Sequence, residues 1–454
     1  MTENVGNQSE FGIGMAKKAL EEARASGDQA RVSVALCNLG FAMFQADQYS
    51  EGKKHFREAD TICRELDDYQ LTLKCLSTQA FAYHNTGQLP TAFEIAQKIQ
   101  KMAEEQNAPG WLIDALATQG QVLIDSRDEI QSLEKFNAAL ELAEEIKDQP
   151  RKMKVLGALG HYSLTIASPD QAESYFTKAY DLARVMGDKQ SEIGYYGNIG
   201  IVLEWKKKWS EAAQIFTEVM AYLKETDNVQ AQLQPLYHLV NIAEKQKDDQ
   251  QVIEHALEGI ETAKEVEEYS LRLIFYEKLA AAYFRLGLKS KAEEYLAEAV
   301  EAAHNAADQE KEVSFRLSLG ESYLLDEKYE DAMEVYQGAQ KAARRLNQHD
   351  KEAYAIGRIG VCLAELGRSD QAIHHHQIAS KVASEINLDT LEAEQLVMLA
   401  IIYRDLQQPE KALDYANQSL VLYRELELEA EIANIQALIS ELTEVVQPEK
   451  NGKN

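Results

Sequence analysis

The chain has 454 residues and a formal net charge of −28, from 47 Lys and Arg against 75 Asp and Glu. Acid in that excess repels the phosphates of duplex nucleic acid and an anionic membrane surface, so neither is an expected partner. A length that would prompt about three compact domains sets no such limit on an array of repeats, whose core is buried between neighbours.

Residues 1–10 are polar, lack the apolar segment of a secretory leader, and read as a disordered lead-in. No apolar run approaches the ~18 residues of a membrane span, so membrane insertion is not expected either. A half-repeat is expected over 11–28, with Gly12, Ala16 and Ala19 in the register that Ala332, Tyr336 and Ala339 occupy further on. It should cover the open face of the first full unit.

Ten 40-residue units follow over 33–428, beginning near Ser33, Leu73, Ile113, Met153, Ile193, Leu233, Leu273, Val313, Ala353 and Ala393. Three linked positions carry the period. Stepping by 40 from Leu319-Gly320 lands on Leu39-Gly40, Gln119-Gly120, Leu159-Gly160, Ile199-Gly200 and Ile359-Gly360, among others, with no insertion or deletion. Stepping from Ala332 lands on Gly52, Ala92, Ser132, Ala172, Ala212, Val252, Ala292, Ala372 and Ala412, where a larger side chain would hold two helices apart. An aromatic position follows at Phe56, Phe136, Phe176, Phe216 and Tyr336, and then a third position that is mostly small.

Turns punctuate each unit. Gly87, Gly287 and Gly367 supply the positive φ that ends a first helix, and Ser50, Asp170, Ser210, Ser290 and Asp370 are expected to cap the second. Pro90, Pro169 and Pro409 stand at or beside the same opening, where a missing N–H costs least. After the last unit, 429–445 reads as a capping helix with Ile432, Ile435, Leu438, Ile439 and Leu442 on one face, and 446–454 as a flexible tail. The four cysteines have no paired spacing, so a reducing, cytoplasmic setting is expected.

The pattern from Val313 to Leu346, with Leu319-Gly320, Tyr323, Tyr329, Ala332, Tyr336 and Ala339, resembles the tetratricopeptide (TPR) signature. The longer unit is similar to those of LGN-type adaptors, kinesin light chains and bacterial signalling arrays. The resemblance implies an all-α fold: a right-handed α-solenoid of antiparallel helix pairs, ten units with a capping helix at each end. It also implies that first helices line a concave groove that holds a peptide or protein segment.

Applied to this sequence, the resemblance places Asn38, Phe41, Phe44, Phe81, His84, Asn85, Asn198, Trp205 and Asn241 among the candidate groove residues. Phe41, Phe44 and Phe81 form an aromatic cluster that is either a pocket for an apolar anchor or core covered by the half-repeat. Asn38 and Asn198 share one unit position, where an Asn bonds the ligand backbone in several peptide-binding arrays. The excess acid falls at other positions and reads as a solvated outer surface.

Catalytic motifs are missing: no H-E-x-x-H, G-x-S-x-G, Walker A loop or Cys-x-x-Cys occurs. His374-His375-His376 cannot converge on one ion, because consecutive helical residues point about 100° apart, and His376 stands at the aromatic packing position. Neither a metal nor another cofactor is expected. A protein-binding scaffold or adaptor is the expected function, with a sensory module acting on a separate effector as the alternative; the partner and the oligomeric state are not legible. The sixth unit is expected to be a weak joint, since Val240 and Val252 replace small residues, Asp249 stands where most other units place a residue able to pack, and Gly259 lies within the second helix.

Overall fold

The computed structural model describes the backbone of residues 2–446 and the side chains of residues 12–446. Each 40-residue unit forms two antiparallel helices. The first helices are α2 (Gln29–Gln45), α4 (Tyr69–Asn85), α6 (Pro109–Asp125), α8 (Gln149–Thr165), α10 (Lys189–Trp205), α12 (Val229–Gln246), α14 (Tyr269–Arg285), α16 (Gln309–Leu325), α18 (His349–Glu365) and α20 (Asp389–Asp405). The second are α3 (Tyr49–Leu66), α5 (Leu89–Glu105), α7 (Glu129–Glu145), α9 (Pro169–Met186), α11 (Trp209–Glu225), α13 (Asp249–Glu265), α15 (Lys289–Asn305), α17 (Tyr329–Arg345), α19 (Ser369–Glu385) and α21 (Pro409–Glu425). With α1 (Thr2–Ser26) and α22 (Glu429–Val446), the described residues form 22 helices in an all-α repeat solenoid.

Several boundaries differ from the sequence reading. Helix α1 starts at Thr2, so the expected lead-in is helical, and Met1 and the tail beyond Val446 lie outside the described residues. Each first helix begins about a turn earlier than Ser33 and its equivalents, because the capping oxygen comes from the connector: Asp28, Asp68, Asp148, Asp188 and Asp308 each accept a backbone N–H. Ser50, Asp170, Ser210, Ser290 and Asp370 lie instead inside the first turn of their helices, and the preceding N-cap residues make no side-chain cap bond.

The turns have a period of their own. A left-handed residue closes every helix from α1 to α21, at Gly27, Asp47, Asp67, Gly87 and so on to Glu427. Only five of these positions are glycine. The remainder hold Asp, Asn, Lys, Arg, Glu, Gln or Ala in a conformation that costs a Cβ about 1–2 kcal/mol. The Schellman-type bonds of each turn offset that cost, as in Gln48 N to Met43 O at 2.8 Å.

Where first and second helices touch in six of the ten repeats, a glycine lies under an aromatic ring. A Cβ built on Gly40 would meet Phe56 at 2.6 Å, one on Gly160 would meet Phe176 at 2.5 Å, and one on Gly320 would meet Tyr336 at 2.6 Å. The small positions of α5, α9, α17 and α19, Ala92, Ala172, Ala332 and Ala372, are fully buried. At the ends, α1 buries Ile13, Leu20 and Ala23 while Ala19 is exposed, so its register is not the one expected. Helix α22 buries Ile435 and Leu442 against the apolar residues of α20 and α21.

The chain divides into two compact units, Met1–Lys247 and Asp248–Asn454, and the division falls inside the sixth repeat. The residues on which a weak joint was expected in that repeat are better accommodated than their types suggest. Val240 and Val252 are both buried, Asp249 pairs with Arg285 at 2.6 Å, and Gly259 makes room for the Phe275 ring, which a Cβ would meet at 2.6 Å.

His376 takes the aromatic place in the ninth repeat. It is fully buried, Gly360 lies against its ring, and its Nδ1 donates to Gln395 Oε1 at 2.8 Å. Burial holds the imidazoles of His376 and His161 below the usual histidine range. The unfolded chain, with ordinary histidines near pKa ~6.5, therefore takes up protons first as the pH falls. The stability these residues contribute is present above about pH 6.5 and is lost below it. Melting temperatures at about pH 7.5 and 5.5 are expected to fall in that order, and the difference is expected to shrink in His376→Phe.

Candidate functional site

The expected N-terminal cluster divides in two. Phe44 is core: it is 1% exposed and meets the rings of Tyr49, Phe56 and Tyr83 at centroid distances of 5.3, 5.3 and 4.9 Å. It belongs to the cluster that α1 closes with Ile13, Leu20 and Ala23. Phe41 and Phe81 occupy the same position of successive units, on α2 and α4, and their rings lie 5.5 Å apart. Phe41 is half-buried, whereas Phe81 is 54% exposed.

Polar groups flank this pair. Asn38 and Asn85 are exposed, and His84 Nε2 lies 2.5 Å from Asp125 Oδ2 on α6. Three consecutive first helices thus present an aromatic pair, two amides and an imidazole–carboxylate pair. Trp205, at the end of α10, is 46% exposed, and Asn241, on α12, is half-buried. Among the described residues neither makes a side-chain hydrogen bond or ring contact that joins it to the other candidates.

Asn198 belongs to a second feature, a cavity of about 460 Å³ lined by α10, α11 and α12, with Gly194, Gly197, Asn198, Phe216, Pro235 and His238 among its residues. The His238 ring stacks on Phe216 at 4.6 Å, and its Nδ1 lies 2.7 Å from Glu204 Oε2. Gly194, Gly197 and Pro235 were not singled out from the sequence, although a proline seven residues into a helix is a readable signal.

Two further clusters are assembled by the fold. Cys37, Cys63 and Cys75, from α2, α3 and α4, are each 1% exposed, and the sulfurs of Cys63 and Cys75 lie 3.6 Å apart. Burial pushes the Cys63 thiol up to about 12, which keeps it protonated. In the C-terminal unit, Glu321 on α16 accepts from Tyr336 at 2.6 Å and Tyr354 at 2.9 Å, and pairs with Arg358 at 2.7 Å. Beside it, a cavity of about 460 Å³ is lined by Tyr354, Arg358, Glu394 and Tyr423, and burial raises the Glu394 carboxyl above its usual range.

Glu204 pairs with His238 at 2.7 Å, and Arg285 with Asp249 at 2.6 Å. Among the described residues no group of three or more His, Cys, Asp or Glu is arranged to hold a metal ion, and no helix is long and apolar enough to cross a membrane.

Comparison with known proteins agrees with the fold. Residues 351–425 and 274–305 match tetratricopeptide repeat families. No curated protein matches the chain. Among solved structures, it is similar to a signal-transduction ATPase with a tetratricopeptide repeat sensor from Pyrococcus horikoshii, at 15% identity and a TM-score of 0.51, over 79% of this chain and 55% of that one. It is also similar to the apo form of the quorum sensor NprR from B. thuringiensis, at 13% identity and a TM-score of 0.43, over 76% of this chain and 97% of that one. Aspartyl phosphate phosphatase F from Bacillus subtilis matches at 16% identity and a TM-score of 0.45, over 62% and 73%. At 15% identity the likeness to the Pyrococcus horikoshii protein is one of fold.

Proposed function

We propose that this chain, a tetratricopeptide-repeat protein, is a non-enzymatic scaffold that binds a peptide or protein segment along its first helices, with Phe41 and Phe81 as an apolar anchor point. The observation that carries the reading is the Phe41–Phe81 pair. Two aromatic rings in contact at the surface, one of them 54% exposed, leave apolar area in water that a partner would cover. Asn38, Asn85 and the His84–Asp125 pair stand beside them as hydrogen-bonding groups for a backbone. A partner that is neither nucleic acid nor bilayer fits the charge of −28. The same surface would serve a regulatory module acting on a separate effector.

The test is Phe81→Glu. A carboxylate at an exposed site stays hydrated, so helical content and melting temperature are expected to hold, while capture of partners from the native host, mapped afterwards on peptide arrays, is expected to be lost. Equal capture by the wild type and a well-folded variant would remove this surface from consideration.

A further inference from the structure

We propose that the cavity bounded by α10 and α12 receives a tyrosine side chain of the bound peptide, a proposal that rests on the peptide-binding reading above. In the fourth and ninth repeats, the glycine at this helical position is covered by a side chain from the next repeat. A Cβ on Gly157 would meet the Tyr195 ring at 2.6 Å, and one on Gly357 would meet Gln395 at 2.5 Å. Gly197 is the corresponding glycine of the fifth repeat, and the residue 40 positions after Tyr195 is Pro235. The pyrrolidine does not reach. A Cβ on Gly197 would find nothing within 4 Å, nor would one on Gly194 a turn earlier. The cavity of about 460 Å³ therefore lies where the chain elsewhere places its own phenol.

The lining suits the same group. The Tyr195 hydroxyl donates to the Met153 carbonyl at 3.4 Å. The equivalent carbonyl one repeat later belongs to Ile193, and Ile193 lines the cavity. The Phe216 ring, with His238 stacked upon it, offers an aromatic wall. No Lys, Arg, Asp or Glu lines the cavity, so a charged side chain would be desolvated there without a counter-ion.

Backbone recognition has its own groups. Pro235 has no N–H, so the Ala231 carbonyl, which also lines the cavity, lacks its usual helical donor and can accept one from a peptide. Asn198 and Gln234 line it as well, and among the described residues their side-chain amides make no hydrogen bond within the protein. Glycine lowers helix stability relative to alanine, and Gly194 and Gly197 carry that cost where no side chain of the protein requires it. A peptide backbone lying close to α10 would require it.

The experiment uses the full chain and an array of capped hexapeptides in which one internal position is Tyr, Phe, Leu, Gln or Asp. Tyr peptides are expected to bind best, Phe peptides less well and Asp peptides not at all. Pro235→Tyr rebuilds the filled arrangement of the fourth repeat from within, and Gly197→Leu fills the cavity from its floor. Each is expected to weaken Tyr-peptide binding at least tenfold, and neither is expected to lower the melting temperature. Should Pro235→Tyr fail to fold, Gly197→Leu decides alone. Tyr peptides that bind both filled variants as they bind wild type, but not Phe81→Glu, overturn the cavity proposal and leave the scaffold reading standing. No peptide bound by wild type, or binding that ignores all three variants, overturns both.

Discussion

Phe176→Ala is expected to cost about 3–5 kcal/mol, and adding Gly160→Ala to it is expected to cost less than the two single changes together. Phe176 is fully buried on α9, its ring lies over Gly160 of α8, and it meets the His161 ring edge-to-face with centroids 5.0 Å apart. Removing it opens a cavity that the flanking helices, held by repeats on either side, cannot close. Gly160→Ala alone puts a methyl group 2.5 Å from the ring, an overpacking worth about 1–3 kcal/mol. With the ring gone, that methyl has room and fills part of the void.

The sequence itself contains the compensated pair. Where the first position is glycine, at 40, 120, 160, 200, 320 and 360, the residue 16 positions on is Phe, Tyr or His. Where it is Ala or Val, at 80, 240, 280 and 400, its counterpart is Ala or Leu. The double variant converts the fourth repeat to the pairing of the second and tenth. Because stability in a solenoid is roughly a sum of repeat and nearest-neighbour terms, urea unfolding should be read together with hydrogen exchange across α8 and α9. Strict additivity of the two substitutions would show that glycine and ring do not share one space.

This coupling explains how much of the fold was legible. Packing positions recur because each repeat meets its neighbour in the same way, so Ala332 and its equivalents announce the helix pairs without any tertiary knowledge. The turns were harder, since Lys147, Ala167 or Glu327 carries no mark of a left-handed conformation that only the tight helix-to-helix connection imposes. The site was harder still. Phe44 and Phe81 are the same residue type on the same class of helix, yet Phe44 packs against rings of α3 and α4 while Phe81, which repeats the position of Phe41, is exposed. Cys37, Cys63 and Cys75 occupy unrelated positions in the period, and only the packing of three helices brings them together. The cavity over Gly197 left one trace in the sequence, a proline at the position that Tyr195 and Gln395 hold in the fifth and tenth repeats.

Arg358→Met is expected to cost about 2–3 kcal/mol, more than Glu321→Gln at about 1 kcal/mol. Glu321 accepts from the phenols of Tyr336 and Tyr354 and from Arg358, whose Nη2 reaches Oε2 at 2.8 Å, and the guanidinium lies 5.1 Å over the Tyr354 ring. Removing the cation leaves a carboxylate in a partly buried place with two neutral donors. Removing the negative charge instead leaves an amide oxygen that both phenols can still use, and a guanidinium still stacked on Tyr354. Because the two side chains are 33% and 30% exposed, water supplies part of the lost solvation, and the cost stays below that of a fully buried broken pair. The order of the two variants follows from this asymmetry and not from the number of bonds broken. The double variant should recover most of what Arg358→Met loses, an interaction of at least about 1 kcal/mol in the thermodynamic cycle. The cycle also bears on recognition, because an arginine committed to Glu321, Tyr354 and the packing of α16 to α18 is withdrawn from any ligand carboxylate. If Arg358→Met left stability unchanged in urea unfolding and in hydrogen exchange across α16, α17 and α18, the network would not be holding these helices, and Arg358 would be free to serve the neighbouring cavity.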